Sequence, residues 1–236
     1  MKGRRPFFRN ERELVNFLVE ELRSIKEYKE VRHSVNLAGF KPNKYWAKWY
    51  GEHSPILQPE IDLLTVSQTS EISGIEVKYI VMKKTRSGRE KISESYYAGI
   101  EQALGMLGLG VDRAILWHFF DENVSLDIMS KYVSACYRMI FLLNLPIGYS
   151  AYLLEKPSIR IPDKNVVLRP VKPLITPLYT PYYQMEIRKE EYRRRDWWKY
   201  FLYQSQRNPL FDVALIRDAV EQTREFIRLM LKIPAK

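Results

Sequence analysis

The sequence predicts an α/β fold, a mixed central β-sheet flanked by helices, followed by an α-helical C-terminal extension. Three observations carry that reading. The first is the stretch from Pro59 to Ile80, where the apolar runs P-E-I-D-L-L-T-V and G-I-E-V-K-Y-I are joined by S-Q-T-S-E-I-S. Two apolar runs around a turn rich in Ser and Thr read as a β-hairpin. The second is the alternation of helical and strand-like segments on both sides of that hairpin. The third is a change of composition: six of the thirteen prolines fall between Pro157 and Pro181, and helical spacing resumes beyond them. The chain therefore divides into a core over 1–156, a proline-rich connector without interior helix over 157–182, and a helical extension over 183–236.

Taken in order, Asn10 followed three residues later by Glu13 is a capping-box signature that opens a helix running to about Tyr28. Leu14, Leu18, Leu22 and Ile25 mark its buried face. Val31 to Leu37 alternates as a first strand. From Phe40 to His53, Lys41, Lys44 and Lys48 interleave with Tyr45, Trp46, Trp49 and Tyr50. Such a mixture suits phosphates and unpaired bases, or else the rings cover the core and the lysines are solvated. After the hairpin, V-M-K-K-T-R-S-G-R-E-K is a basic loop with Gly88 at its tip, which brings Lys83, Lys84, Arg86, Arg89 and Lys91 beside the end of the second strand. Ser95 to Leu107 reads as a helix closed by Gly108 or Gly110, R-A-I-L-W-H-F-F as a buried strand, Val124 to Leu143 as a helix and Gly148 to Leu154 as a strand. Beyond the connector, Glu186 to Gln204 and Phe211 to Leu231 have helical spacing. The first of these carries Arg193, Arg194 and Arg195 among aromatic residues, as a phosphate-binding face or as a solvated face paired with Glu190 and Glu191.

Chemistry concentrates on the hairpin. Alternation puts Ile75, Val77 and Tyr79 on one side of the second strand and Glu76 and Lys78 on the other. Asp62 on the first strand can project toward the same edge. Two carboxylates and a lysine around one point suit Mg²⁺, with Mn²⁺ as a substitute, acting on a phosphodiester. Here the sequence resembles the PD-(D/E)XK nuclease superfamily, whose motif is an acid on one strand and E-x-K or D-x-K on the next. The resemblance covers roughly Asn10 to Phe120 and implies a restriction-endonuclease-like core. It implies that Asp62 and Glu76 hold the metal, that the Val77 carbonyl is a further ligand, and that Lys78 serves the attacking water or the phosphoryl charge. Glu60 stands where the literal motif has its Asp and is a lesser candidate.

The string E-R-E-L-V resembles the opening helix of archaeal Holliday-junction resolvases, which carries a further metal ligand to Glu11, with Glu21 as second choice. Stabilisation of the helix N-terminus is the other reading of Glu11. Gln102 matches a glutamine that some branches place near the active lysine, although their tyrosine four residues on is Met106 here. The resolvase likeness also implies a homodimer.

Composition narrows the alternatives. A formal charge of +10 favours a polyanionic partner. Cys136 is the sole cysteine, which excludes a disulfide framework and Cys-type metal sites. The start of the chain lacks the apolar stretch of a signal peptide, and no run reaches membrane-spanning length, so a soluble, cytoplasmic protein with no membrane partner is expected. The expected function is a Mg-dependent deoxyribonuclease, an endonuclease in first place. A nuclease-fold protein that binds nucleic acid or assembles without cleaving is the rival. A peripheral membrane protein ranks last, for want of a Lys-rich amphipathic helix.

Overall fold

The computed structural model describes residues 6–36, 60–143, 145–155, 174–178, 221 and 224–233. Helix α1 spans Glu11–Arg23, and the strands before the crossover are β1 (Tyr28–Asn36), β2 (Glu60–Ser67) and β3 (Ile72–Ile80). A small hairpin, β4 (Met82–Lys84) with β5 (Glu90–Ile92), leads to helix α2 (Ile100–Gly108). Strand β6 (Arg113–Asp121), helix α3 (Leu126–Leu142), β7 (Gly148–Glu155) and β8 (Leu174–Pro177) follow, and residues 224–230 are helical.

The six-stranded sheet has the order β1-β2-β3-β6-β7-β8. Neighbours β1, β2 and β3 are antiparallel, β3, β6 and β7 are parallel, and β8 is antiparallel to β7. The fold is thus α/β with a mixed sheet. Each parallel step needs a crossover, which α2 and α3 supply. One face of the sheet packs on α1 through Leu63, Ile75, Val77, Tyr79 and Phe119. The other packs on α2, α3 and the C-terminal helix through Leu64, Val66, Leu116 and Phe120. Central strands covered on both faces are apolar almost throughout, as β3 and β6 are.

Asn10 caps α1 by accepting from the Glu13 N–H, and Glu13 reaches back to the N–H of Arg9 rather than of Asn10. The helix ends at Arg23, short of the expected Tyr28. Ser24 closes it by donating its hydroxyl to the Glu21 carbonyl, and Tyr28 already pairs with Ser67 in the sheet. Ile25 is accordingly exposed instead of buried. Helix α2 begins at Ile100, five residues later than its spacing suggested, because Gly99 takes the left-handed conformation at φ +85° and breaks the helical path ahead of it. At its far end Gly110, at φ +84°, closes the helix as expected.

Two features lie beyond the sequence expectation. Strand β8 falls within the stretch read as connector and extends the sheet along β7. Ile227, Leu231 and Ile233 are buried in the same cluster as α2 and α3, and Arg224 is tied to Asp112 at 2.7 Å and to the Gly110 carbonyl. This part of the C-terminal extension packs on the core.

Candidate active site

The expected hairpin is present, and its register places the site. Strands β2 and β3 pair from Val66–Ile72 to Leu63–Ile75. Beyond that pair the ladder stops, while β3 continues beside β6 to Ile80–Phe120. The N–H groups of Val77 and Tyr79 then face an edge without a strand partner, and buried donors need acceptors. Carboxylates supply them: Asp62 Oδ2 accepts from Val77 N at 2.9 Å, and Glu11 Oε2 accepts from Tyr79 N at 3.2 Å. Opposite Asp62 in the β1–β2 register is Ser34, at φ +47°. Val31 and Leu63 pack toward α1, whereas Val35 and Ile61 join the cluster on the other face, so the ribbon turns over at this level.

Lys78 completes the arrangement, with its Nζ 2.7 Å from Glu76 Oε1 and 3.4 Å from Glu11 Oε1. Glu11, Asp62, Glu76 and Lys78, from three elements, thus meet; the alternation of β3 puts Glu76 and Lys78 on one side, and Glu11 is expected there from the resolvase likeness alone. The Lys78 ammonium is the partner of the fully buried Glu76 Oε1, although their contact departs from regular hydrogen-bond geometry. Three carboxyl groups against one ammonium leave an excess of negative charge in a place shielded from water.

The titration behaviour follows from that excess. Burial, then the charge of Asp62, pushes Glu76 up to about 8, outweighing the attraction of Lys78. Burial also raises Asp62 and Glu11. Burial alone would lower Lys78, but the carboxylates around it, Glu76 first, hold its ammonium well above the ordinary range. Asp62 and Glu76 repel each other as carboxylates, and with Glu76 raised to about 8 its carboxyl keeps its proton at neutral pH. Among the described residues, no three His, Cys, Asp or Glu side chains stand ready-grouped around a cation position. The physical reason is visible: the Lys78 ammonium occupies the space between Glu11 and Glu76.

Residues that sequence reasoning missed hold this cluster in place. Asp121, at the end of β6, accepts from the Phe7 N–H at 2.7 Å and from the Tyr79 hydroxyl at 2.6 Å, and Tyr79 in turn accepts from the Phe8 N–H. These bonds fix the entry to α1 and therefore Glu11. On the opposite face His118, the β6 register partner of Lys78, is fully buried. A carbonyl can only accept, so Nε2 donates to Ala98 O at 3.1 Å and Nδ1 accepts from the Tyr149 hydroxyl at 3.0 Å. Burial pushes His118 down to about 4 and keeps it neutral. Tyr132 donates to the Ser95 carbonyl. The turn over 95–99 is thereby pinned down, and a Cβ on Gly99 would come within 3.2 Å of Glu76 Cγ and Lys78 Cε and 2.7 Å of Leu116. A polar residue within the apolar run W-H-F-F was the available signal for His118.

The remaining candidates fall into three groups. Lys83, Lys84, Arg86, Arg89 and Lys91 are exposed on the β4–β5 hairpin, which leaves β3 just past Lys78. Gln102 is exposed in α2 and makes no hydrogen bond to the acidic cluster, Glu60 is exposed at the start of β2, and Glu21 lies roughly 15 Å along α1 from Glu11 at helical rise. Lys41, Lys44, Lys48, Arg193, Arg194 and Arg195 lie outside the described residues. No helix among the described residues is long and apolar enough to cross a membrane. No family model matches the chain, and no curated protein matches it.

Proposed function

We propose that this chain is a metal-dependent deoxyribonuclease of the PD-(D/E)XK kind. The observation that carries the proposal is the meeting of the fully buried Glu76 carboxyl, ion-paired to Lys78 at 2.7 Å, with Asp62 and Glu11 where β2 and β3 part. Three carboxyl groups around a single ammonium, one of them fully buried, offer the hard oxygen donors that a divalent cation takes. Asp62 and Glu76 would hold Mg²⁺ or Mn²⁺, with Glu11 in support. The Val77 carbonyl belongs to the same strand edge as its N–H, since both groups of a strand residue point the same way. When bound, the ion lowers the pKa of a coordinated water and polarises a phosphoryl oxygen.

The protein's own part is positional. Lys78 leaves the gap between Glu11 and Glu76 and turns its ammonium to the attacking water or to the charge growing on the phosphate. Glu76 gives up its proton as the cation enters, so affinity for the cation rises with pH. The exposed cations of the β4–β5 hairpin neutralise backbone phosphates next to the site. The competing reading, a nuclease-like module that binds DNA without cutting, draws on the ammonium standing between the carboxylates.

Incubation with supercoiled, linear, single-stranded and branched DNA in Mg²⁺, Mn²⁺ or EDTA tests the proposal, together with thermal melts in the same ions. Metal-dependent cleavage and metal-dependent stabilisation are expected from the wild type. Single-turnover cleavage by Lys78→Ala and Lys78→Met should fall by orders of magnitude while cation-induced stabilisation persists. Binding to DNA with neither cleavage nor a melting shift in any ion would establish the non-cutting module instead.

A further inference from the structure

We infer that Tyr96 and Tyr97 form a stacking platform for unpaired bases beside the candidate site, so that DNA with single-stranded character is bound in preference to intact duplex. This rests on the nuclease reading and adds the structural class of its substrate. Both rings are surface features, 43% and 52% exposed, and they meet edge-to-face with centroids 5.3 Å apart. Tyr97 is two residues from Gly99, whose backbone lies against Glu76 and Lys78, so at most about 7 Å of chain separates the two positions.

The backbone that carries the rings is held rigidly. The Ser95 carbonyl accepts from Tyr132 and from the Ala98 N–H, the Tyr97 carbonyl accepts from the Ile100 N–H, and the Ala98 carbonyl accepts from His118. Aromatic rings fixed in this way bind at little entropic cost. The other flank is cationic. Ser93 and Val81 exchange hydrogen bonds, Ser93 N to Val81 O at 2.9 Å and Val81 N to Ser93 Oγ at 3.0 Å. The base of the Lys83–Lys91 hairpin is therefore closed three residues before Tyr96.

Phosphate-binding cations on one side and stacking faces on the other are the two components that hold single strands without regard to sequence. In an intact duplex the bases are already stacked on one another, and the same rings would meet only the backbone and groove edges.

The test measures binding of a single-stranded oligonucleotide carrying 2-aminopurine and of its duplex, both in EDTA so that nothing is cut. The proteins are wild type, Tyr96→Leu/Tyr97→Leu and Tyr96→Phe/Tyr97→Phe. The leucine variant should lose about tenfold to a hundredfold in single-strand affinity, along with the 2-aminopurine quenching that marks stacking, and about twofold or less on duplex. The phenylalanine variant should restore both. Equal losses on the two substrates, or no loss on either, would overturn the platform while leaving the nuclease proposal in place. Failure of the wild type to bind any DNA would overturn both.

Discussion

Asp121 and Glu76 are buried to the same depth, 1% and 2% exposed, on adjacent strands of one sheet. Their surroundings differ. Both oxygens of Asp121 are used, one by the Phe7 N–H and the Tyr79 hydroxyl and the other by the Asn123 N–H. Glu76 has the Lys78 ammonium 2.7 Å from Oε1 and the charge of Asp62 beside it, with no hydrogen bond of regular geometry at that buried oxygen. A buried carboxylate with neutral donors on both oxygens is a structural fastening, whereas one held by a single ammonium beside like charge is where perturbed titration concentrates. His118 belongs with Asp121, since both its ring nitrogens are paired.

The sharpest way to break this comparison is to neutralise each carboxylate. Glu76→Gln keeps the shape but cannot ionise to receive a cation, so cleavage should fall at least a hundredfold, about 2.7 kcal/mol in the barrier, with stability at neutral pH unchanged or slightly raised. Asp62→Ala should do the same to cleavage. Unaltered single-turnover rates in either variant would dissolve the distinction drawn for Glu76. Asp121→Ala should behave in the opposite sense. It strands a hydroxyl and two N–H groups and should cost about 3 kcal/mol in chemical denaturation. A loss below about 1 kcal/mol would mean that the Phe7–Tyr79–Asp121 network is not a fastening.

Glu76 and His118 titrate in opposite senses. Between its ordinary 4.5 and about 8 the folded chain keeps a proton on Glu76 that the unfolded chain has released, so rising pH destabilises the fold. Between about 4 and 6.5 the unfolded chain binds a proton on His118 that the folded chain refuses, so rising pH stabilises. The effects oppose each other below 6.5, and above it the Glu76 contribution stands without that opposition. Metal-free protein should therefore lose stability from pH 6.5 to 8, by at most about 1.4 kcal/mol per pH unit for one proton. Melts in EDTA across that range should show the decline, and the decline should vanish in Glu76→Gln. A flat profile in the wild type would mean that Glu76 does not hold its proton at neutral pH.

The smallest effect belongs to charges that nothing buries. Replacing Lys83, Lys84 and Arg86 with Gln should leave melting unchanged and lower the salt dependence of duplex binding by about 2 to 3 in logarithmic slope. An unchanged slope would place the phosphate contacts elsewhere.

What the sequence made legible was local. The Asn10 cap, the alternation around E-V-K and the apolar run of β6 each declare themselves within a dozen residues, and all three elements are found. The start of α2 was misjudged because the break depends on Gly99 fitting against Leu116, Glu76 and Lys78, which no local spacing records. Strand β8 was missed because prolines end helices without forbidding an edge strand. The Phe7–Asp121 bond joins positions 114 residues apart, and the pairing of His118 with Tyr149 spans 31. The carboxylates of the site were readable as residue types at a spacing. That one of them would be fully buried with only an ammonium for its partner is a property of packing.

Where β2 and β3 part, side chains of β2 and of α1 take over from the main chain as acceptors for β3. Two amide protons, those of Val77 and Tyr79, hang on the carboxylates of Asp62 and Glu11. Whatever recruits or protonates those carboxylates must alter the shielding and the solvent exchange of these amides. Their resonances are built-in reporters of the site, readable by nuclear magnetic resonance without substrate, turnover or label at the centre itself.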